Sequence, residues 1–244
     1  VWAAGHIAKR YGQPKSLKHY GEIFHAANRW IPGTDADLSR LAEDNQQSPM
    51  VRATAVLLLR NYPCESTIPT LRKMLQDDNP LIRSEAVTAL DLLPPNDRVS
   101  FLLPVLQDPV RLVRTLAARS LAPVPSGILS KEAGQQRDST IREYEESQLL
   151  NADYPAAHMN LGNLYLERGE YDRAAASYKK AIEIEPAFIP GYINLADVYR
   201  AQNQDEKGKS ILLHTLDIAP ESASAHHALS LMMIQTDKKK EALH

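Results

Sequence analysis

Apolar side chains recur at steps of three and four residues along most of the chain, which is the spacing of one face of an α-helix. From residue 48 onward these helical segments repeat, and Pro80 follows Pro49 by 31 residues in the same local pattern, a spacing called here the short period. Ser48 and Asn79 before the prolines indicate helix starts, because their side chains cap the helix and proline loses no hydrogen bond in the first turn. Each unit of the short period is therefore predicted to hold two amphipathic helices.

An arginine recurs in the first helix of each unit: Arg52, Arg83 and Arg114. The helix pairs and this arginine resemble short HEAT-like repeats over residues 34–129. The resemblance implies that the arginines pair with aspartates of neighbouring repeats, such as Asp78 and Asp108, through charge-assisted hydrogen bonds. A ladder that binds phosphate or an acidic peptide is the alternative.

A second, long period of about 34 residues per unit begins at Pro155. Small residues at Gly162, Ala174 and Ala181 allow two antiparallel helices to approach closely, while large residues fill the space between them. This pattern resembles the tetratricopeptide repeat (TPR), a helix–turn–helix unit. The resemblance implies a third unit that stops inside its second helix, so we expect the native protein to continue. The units are residues 155–188, 189–222 and 223–244.

Residues 130–151, between the two arrays, are predicted to form one helical segment that serves both. Ile128 lies one short period after Asp97, and Tyr144 lies one long period before Tyr178, so the segment fits either array. One helix pair cannot bury its apolar face alone, and neighbouring units must stack. The predicted fold is all-α, a right-handed α-solenoid of HEAT-like pairs (34–129) followed by TPR pairs (130–244).

Residues 1–33 follow neither period, and we predict a helical cap over the first repeat. Within them, Lys9-Arg10-Tyr11-Gly12 and His19-Tyr20-Gly21-Glu22 precede the two kinds of repeat. This order of parts resembles the C-terminal part of bacterial multihaem c-type cytochrome proteins. The resemblance implies haem attachment motifs upstream of Val1 and a periplasmic location, with one of three histidines near a haem or bound to it: His6, His19 or His25.

Composition narrows the classes of partner. The net charge of −2 gives no electrostatic signature of nucleic-acid binding, and no apolar run is long enough for membrane insertion. Cys64 is the only cysteine, which excludes an intrachain disulfide and a Cys-x-x-Cys-His motif, so we expect no cofactor within these residues. The chain begins at Val1 without methionine, and we expect it to be a piece of a longer protein. Apart from the cytochrome resemblance, the expected location is cytoplasmic.

The first helices of TPR units line a concave surface, which binds peptides in that family. The equivalent positions here are Met159, Asn160, Asn163, Leu166, Ile193, Asn194, Asp197, Arg200 and His227. Family members that clamp a peptide carboxylate use two asparagines and several basic residues. The asparagines are present, but Met159, Ser224 and Ala228 replace the basic residues, so no carboxylate clamp is expected. The mixture suits an extended or helical peptide. The alternative occupant is an upstream domain of the same protein.

Catalytic interpretations have little support in the residue pattern. His158 and His226 occupy the fourth position of their repeats, where a large packing residue is expected. His226 and His227 are adjacent on a helix, so their side chains point about 100° apart and cannot readily hold one metal ion. The predicted function is a non-catalytic scaffold for protein or peptide binding, and the alternative is the docking portion of a multihaem cytochrome. A hydrolase or metal enzyme would need a buried cluster of histidines and carboxylates.

Overall fold

The computed structural model describes residues 19–62 and 64–241, with side chains through residue 235. Within these residues the chain forms thirteen α-helices, four short 3-10 turns and no strand. The all-α fold class is therefore confirmed, and the sequential helix pairs are those of an α-solenoid. The helices are α1 Tyr20–Asn28, α2 Thr34–Glu43, α3 Pro49–Leu59, α4 Ile68–Met74, α5 Pro80–Ala89, α6 Pro95–Leu102, α7 Arg111–Ser120, α8 Lys131–Leu149, α9 Pro155–Glu167, α10 Tyr171–Ile184, α11 Ile189–Ala201, α12 Asp205–Ile218 and α13 Ala223–Glu241.

Among the described residues, one compact unit contains residues 19–62, 64–101 and 108–116. Its helices α3, α5 and α7 begin one short period apart. The Ser48 hydroxyl accepts a hydrogen bond from the Val51 N–H, and Asn79 Oδ1 accepts one from the Leu81 N–H at 3.0 Å. These caps satisfy N–H groups that have no partner within the helix. Helix α3 packs against both α2 and α5, which buries the apolar faces of successive pairs.

The recurring arginines of this unit make structural pairs. The Arg83 guanidinium donates two hydrogen bonds to the Asp108 carboxylate, from Nε at 2.7 Å and from Nη2 at 3.0 Å. Arg52 pairs with Asp77, and both side chains are only 10% exposed. The predicted role of Asp78 as a carboxylate partner was wrong, because Asp78 is exposed and contributes only its backbone carbonyl, to Arg83.

Helix α1 lies within residues 1–33, the segment predicted to form a helical cap. It contacts α2 and α3, and the Tyr62 hydroxyl donates to the Ala27 carbonyl at 3.2 Å. Gly33, with φ of +80°, begins the next helix in a backbone conformation that favours glycine. Residues 1–18 lie outside the described part of the chain, and the cap over the first repeat stays a prediction.

The other compact unit contains residues 102–107 and 117–241 of the described chain. Here α9, α11 and α13 begin one long period apart, as do α10 and α12. Each helix from α9 to α13 packs against the next along the sequence. The side chains of Leu164, Tyr178 and Leu212 are fully buried between these helices.

The closest approach of α9 and α10 occurs at Gly162. A Cβ atom at this position would lie 2.4 Å from Cε1 of Tyr178, so only glycine fits beside this ring. In the following repeat, Ala196 and Leu212 occupy the two equivalent positions, and both are buried in one cluster with Met232. The small residue that the long period predicts is thus required by a specific neighbour.

A side chain near the start of each first helix bonds the carbonyl six residues earlier. His158 Nε2 lies 3.0 Å from the Ala152 oxygen, and His226 Nε2 lies 2.8 Å from the Pro220 oxygen. In the middle repeat the Tyr192 hydroxyl makes the equivalent bond. A carbonyl can only accept, so each side chain donates a hydrogen. These bonds give both histidines a structural role, and His226 fills it as an exposed side chain rather than as the expected packing residue.

Two segments bear on the predicted repeat boundaries. Helix α8 contacts α9 and residues 104–107, and Arg137 donates to the Val124 carbonyl at 2.7 Å. Helix α13 runs without a break to Glu241, so the start of a second helix predicted in the third TPR unit was wrong within the described residues. The division at residues 129 and 130 stays a prediction.

Candidate protein-binding surface

The first helices of the three long-period units lie side by side, with α9 against α11 and α11 against α13. Because each begins one long period after the last, equivalent positions of the three helices come to the same side of this row. Eight of the nine residues predicted to bind a partner are partly exposed, and His227 is exposed. All nine therefore present surface to solvent, although their role in binding stays a prediction.

Two of these residues join consecutive repeats. The Asn194 amide donates to Asn163 Oδ1 at 3.0 Å, and the Tyr178 hydroxyl donates to the same oxygen at 2.7 Å. Burial raises the pKa of Tyr178, which keeps its hydroxyl protonated as a donor. The Asn163 oxygen is thus used within the protein, while its amide nitrogen makes no hydrogen bond among the described residues.

Three other polar members make side-chain hydrogen bonds: Asn160, Asp197 and Arg200. Arg200 bonds Asp197 at 2.9 Å and reaches Gln235 Oε1 on α13 at 3.2 Å. Asn160 donates to Gln148 Oε1 on α8 at 2.9 Å. These bonds hold the polar side chains in place without burying them, so each keeps atoms that a ligand can reach.

The apolar members are Met159, Leu166 and Ile193, all partly exposed. The structure adds three exposed apolar side chains on α13 that the repeat positions did not select: Leu231, Met233 and Ile234. Their signal in the sequence is a run of apolar residues longer than one helix face can bury.

The histidines proposed near a haem have different positions. His6 lies outside the described residues. His19 is exposed and caps α1, where its Nδ1 accepts from the Gly21 N–H at 3.2 Å, and His25 is exposed in the last turn of α1. The described residues contain no group of three or more histidine, cysteine, aspartate or glutamate side chains placed to hold a metal ion.

Comparison with known families assigns both kinds of repeat. The family model for HEAT repeats matches residues 37–122. The model for the tetratricopeptide repeat matches residues 155–188. This chain is a helical repeat protein with HEAT and TPR features. No curated protein matches the sequence.

The match places the candidate surface in the TPR part of this repeat protein. Its matched repeat contains four of the nine residues, on α9, and the helix-start spacing carries the same positions to α11 and α13. HEAT and TPR families are generally non-catalytic scaffolds whose repeats mediate protein interactions. Among the described residues, no helix has the length and apolar character needed to cross a membrane.

Proposed function

We propose that this repeat protein is a non-catalytic scaffold that binds a protein or peptide on the row formed by α9, α11 and α13. The occupant is an extended or helical segment with both apolar and polar side chains, since the row mixes Met159, Leu166 and Ile193 with amides and one ion pair. Methionine adapts to irregular partners because its unbranched side chain has several rotatable bonds.

The observation that carries this proposal is the bond between Asn194 and Asn163. This hydrogen bond of 3.0 Å joins side chains of two consecutive repeats, and it lies in the middle of a partly exposed row. A surface held in this way is preorganised, so a ligand loses less entropy in ordering it. The unused amide nitrogen of Asn163 offers a donor to the ligand backbone.

A peptide-display selection against residues 1–244 tests the proposal. Selected peptides should bind the wild-type chain, and Leu166→Glu should weaken binding about tenfold, because a carboxylate placed against an apolar peptide side chain must lose hydration. Fluorescence anisotropy with a labelled selected peptide measures the change.

The matched control is Leu213→Glu, a leucine 48% exposed on α12 and outside the row of first helices. Its affinity should stay within twofold of wild type, which is within the effect of an ordinary surface substitution. Equal weakening by both substitutions, or a selection that yields no ligand, would contradict the proposal.

The natural ligand of the row is either a separate protein or another domain of the same protein. A separate partner would bind residues 1–244 and the full-length protein equally. An additional domain of the same protein would compete, so the selected peptide would bind residues 1–244 and not the longer chain. If the occupant is a domain of the same protein, residues 1–244 could be the docking portion of a multihaem cytochrome. Cys-x-x-Cys-His motifs encoded upstream of Val1 would support this alternative.

A further inference from the structure

A cavity of about 370 Å³ lies between α10 and α12, beside the last turn of α11. It is separate from the row of candidate binding residues. Its polar lining comes from Asp172, Lys179, Tyr199, Gln202, Gln204 and Lys207.

The cavity has two cations around one aromatic ring. The ammonium groups of Lys179 and Lys207 each lie 5.8 Å from the centre of the Tyr199 ring. Neither lysine makes an ion pair with the described residues. Lys207 donates to the neutral Gln204 at 2.8 Å, and the only lining carboxylate, Asp172, accepts from the Gln202 amide at 3.1 Å. The local charge is therefore positive.

One repeat earlier, a cation again lies over the equivalent tyrosine, but there it has carboxylate partners. There Arg173 lies 3.8 Å from the centre of the Tyr165 ring and donates to Glu145 at 3.0 Å and to Glu170 at 2.6 Å. Burial, together with the nearby Glu145 carboxylate, raises the pKa of Tyr165 to about 12. Glu145 on α8 and Glu170 before α10 thus supply two carboxylates that neutralise the cation on this tyrosine.

A shift of one long period converts one arrangement into the other. Glu145 is replaced by Lys179, and Glu170 is replaced by Gln204, while Arg173 becomes Lys207. Both carboxylates that surround the cation in the earlier repeat are lost, and one of them becomes a second cation. The cavity is lined by the two side chains that replace those acids, Lys179 and Gln204.

We infer that this cavity binds the carboxylate of an aspartate or glutamate side chain from an acidic segment of a partner protein. The two lysines would donate charge-assisted hydrogen bonds to it, as Arg173 donates to Glu145 and Glu170 in the preceding repeat. A carboxylate is the expected anion because Arg173, the equivalent of Lys207 one repeat earlier, binds two carboxylates. The inference rests on the proposed function only in taking a protein as the partner.

Binding of a fluorescein-labelled peptide of alternating glutamate and glycine to residues 1–244 tests the inference, with the glutamine–glycine peptide as the ligand control. Lys179→Glu rebuilds the acid of the preceding repeat and should weaken binding of the glutamate peptide about tenfold or more, since one charged hydrogen bond becomes a repulsion. Lys207→Gln should weaken it in the same direction while leaving the helix intact.

The matched control is Lys180→Glu, which changes the net charge equally. Lys180 neighbours Lys179 in sequence but does not line the cavity, and it pairs with Glu183 on its own helix at 2.8 Å. Its effect on affinity should be less than twofold at physiological salt, where charges beyond about 8 Å are screened. Circular dichroism of every variant checks that the helices are retained.

Three results would overturn the inference. The first is equal binding of the glutamate and glutamine peptides, and the second is equal weakening by Lys179→Glu and Lys180→Glu. The third is displacement of the peptide by inorganic phosphate at lower concentration than by acetate, which would assign the cavity to phosphate. The Leu166→Glu variant should bind the glutamate peptide like wild type. The test of this cavity is therefore independent of whether the row of first helices binds a peptide.

Discussion

The Tyr192 hydroxyl donates a hydrogen bond to the Pro186 carbonyl oxygen at 2.9 Å, and the equivalent bonds of its neighbouring repeats come from histidines. The bond ties the start of α11 to the end of the preceding repeat. Three repeats use two different side chains for it, so the feature they share is the donated hydrogen rather than the residue type.

Tyr192→Phe should lower the free energy of unfolding by about 1 kcal/mol, the net worth of one hydrogen bond. Urea denaturation followed by circular dichroism measures the change. Tyr199→Phe is the control, because the Tyr199 hydroxyl makes no hydrogen bond to the described residues, and its loss should cost less than half as much. Equal losses from the two substitutions would mean that the bond does not stabilise the repeat junction.

Gly162→Ala should destabilise the protein by about 2 kcal/mol, because the added methyl group must displace the buried Tyr178 ring. Gly134→Ala, on α8, offers a control with the opposite sign. A Cβ there meets nothing within 4 Å, so alanine should stabilise the helix by about 0.5–1 kcal/mol. Thermal unfolding of the two variants compares them directly, and a stabilised Gly162→Ala chain would contradict the packing described.

Asp108→Asn should cost about 3 kcal/mol at neutral pH, because it leaves the partly buried Arg83 guanidinium without its carboxylate. Burial raises the pKa of Asp108, but hydrogen bonds from Arg83 and the Val110 N–H outweigh burial and hold the pKa below its usual value. The unfolded chain therefore binds the proton more readily than the folded one.

The stabilisation from Asp108 is present above the unfolded pKa, about 4, and is lost as the pH falls through the lower folded pKa. The gap in urea stability between wild type and Asp108→Asn should therefore shrink between neutral pH and strongly acidic pH. Asp97→Asn, at an exposed position in the first turn of α6, should change stability by less than about 0.5 kcal/mol at neutral pH. A gap that stays constant down to acidic pH would refute the assignment.

Arg137→Met should destabilise the protein by about 2 kcal/mol. The Arg137 side chain is 3% exposed and donates a hydrogen bond to the carbonyl of buried Val124. Methionine has no hydrogen to donate, so this carbonyl would lose its partner. Arg142→Met, on the exposed side of the same helix, should change stability by less than about 0.5 kcal/mol. Chemical denaturation of both variants distinguishes a specific bond from a general effect of losing an arginine on α8.

Much of this fold could be predicted from periodicity alone. Pro49 and Pro80 marked two helix starts, and the long period placed helices at Pro155 and at residue 189. These predictions succeed because capping residues and apolar spacing act locally. The choice between Asp77 and Asp78 could not be made in this way, because it depends on which carboxylate the turn after α4 directs toward Arg52.

The site was predictable in position but not in detail. Repeat positions selected Asn163 and Asn194 as surface residues, but the shared bond with Tyr178 depends on the packing of α10. The replacement of Glu145 by Lys179 is visible when the sequence is aligned with itself at a shift of one long period. That Lys179 and Lys207 both lie beside the Tyr199 ring, at the edge of a cavity, depends on how α10, α11 and α12 pack and is not visible in the sequence.

The two ways of filling the same space, glycine beside tyrosine in one repeat and alanine beside leucine in the next, constrain how this protein can diverge. A methyl group gained at residue 162 costs stability as long as the Tyr178 ring is present, so residues 162 and 178 should change together in related sequences. Gly162→Ala combined with Tyr178→Leu reproduces the pair that Ala196 and Leu212 already form. A paired substitution at residues 162 and 178 would therefore give one repeat the packing that the next repeat already has.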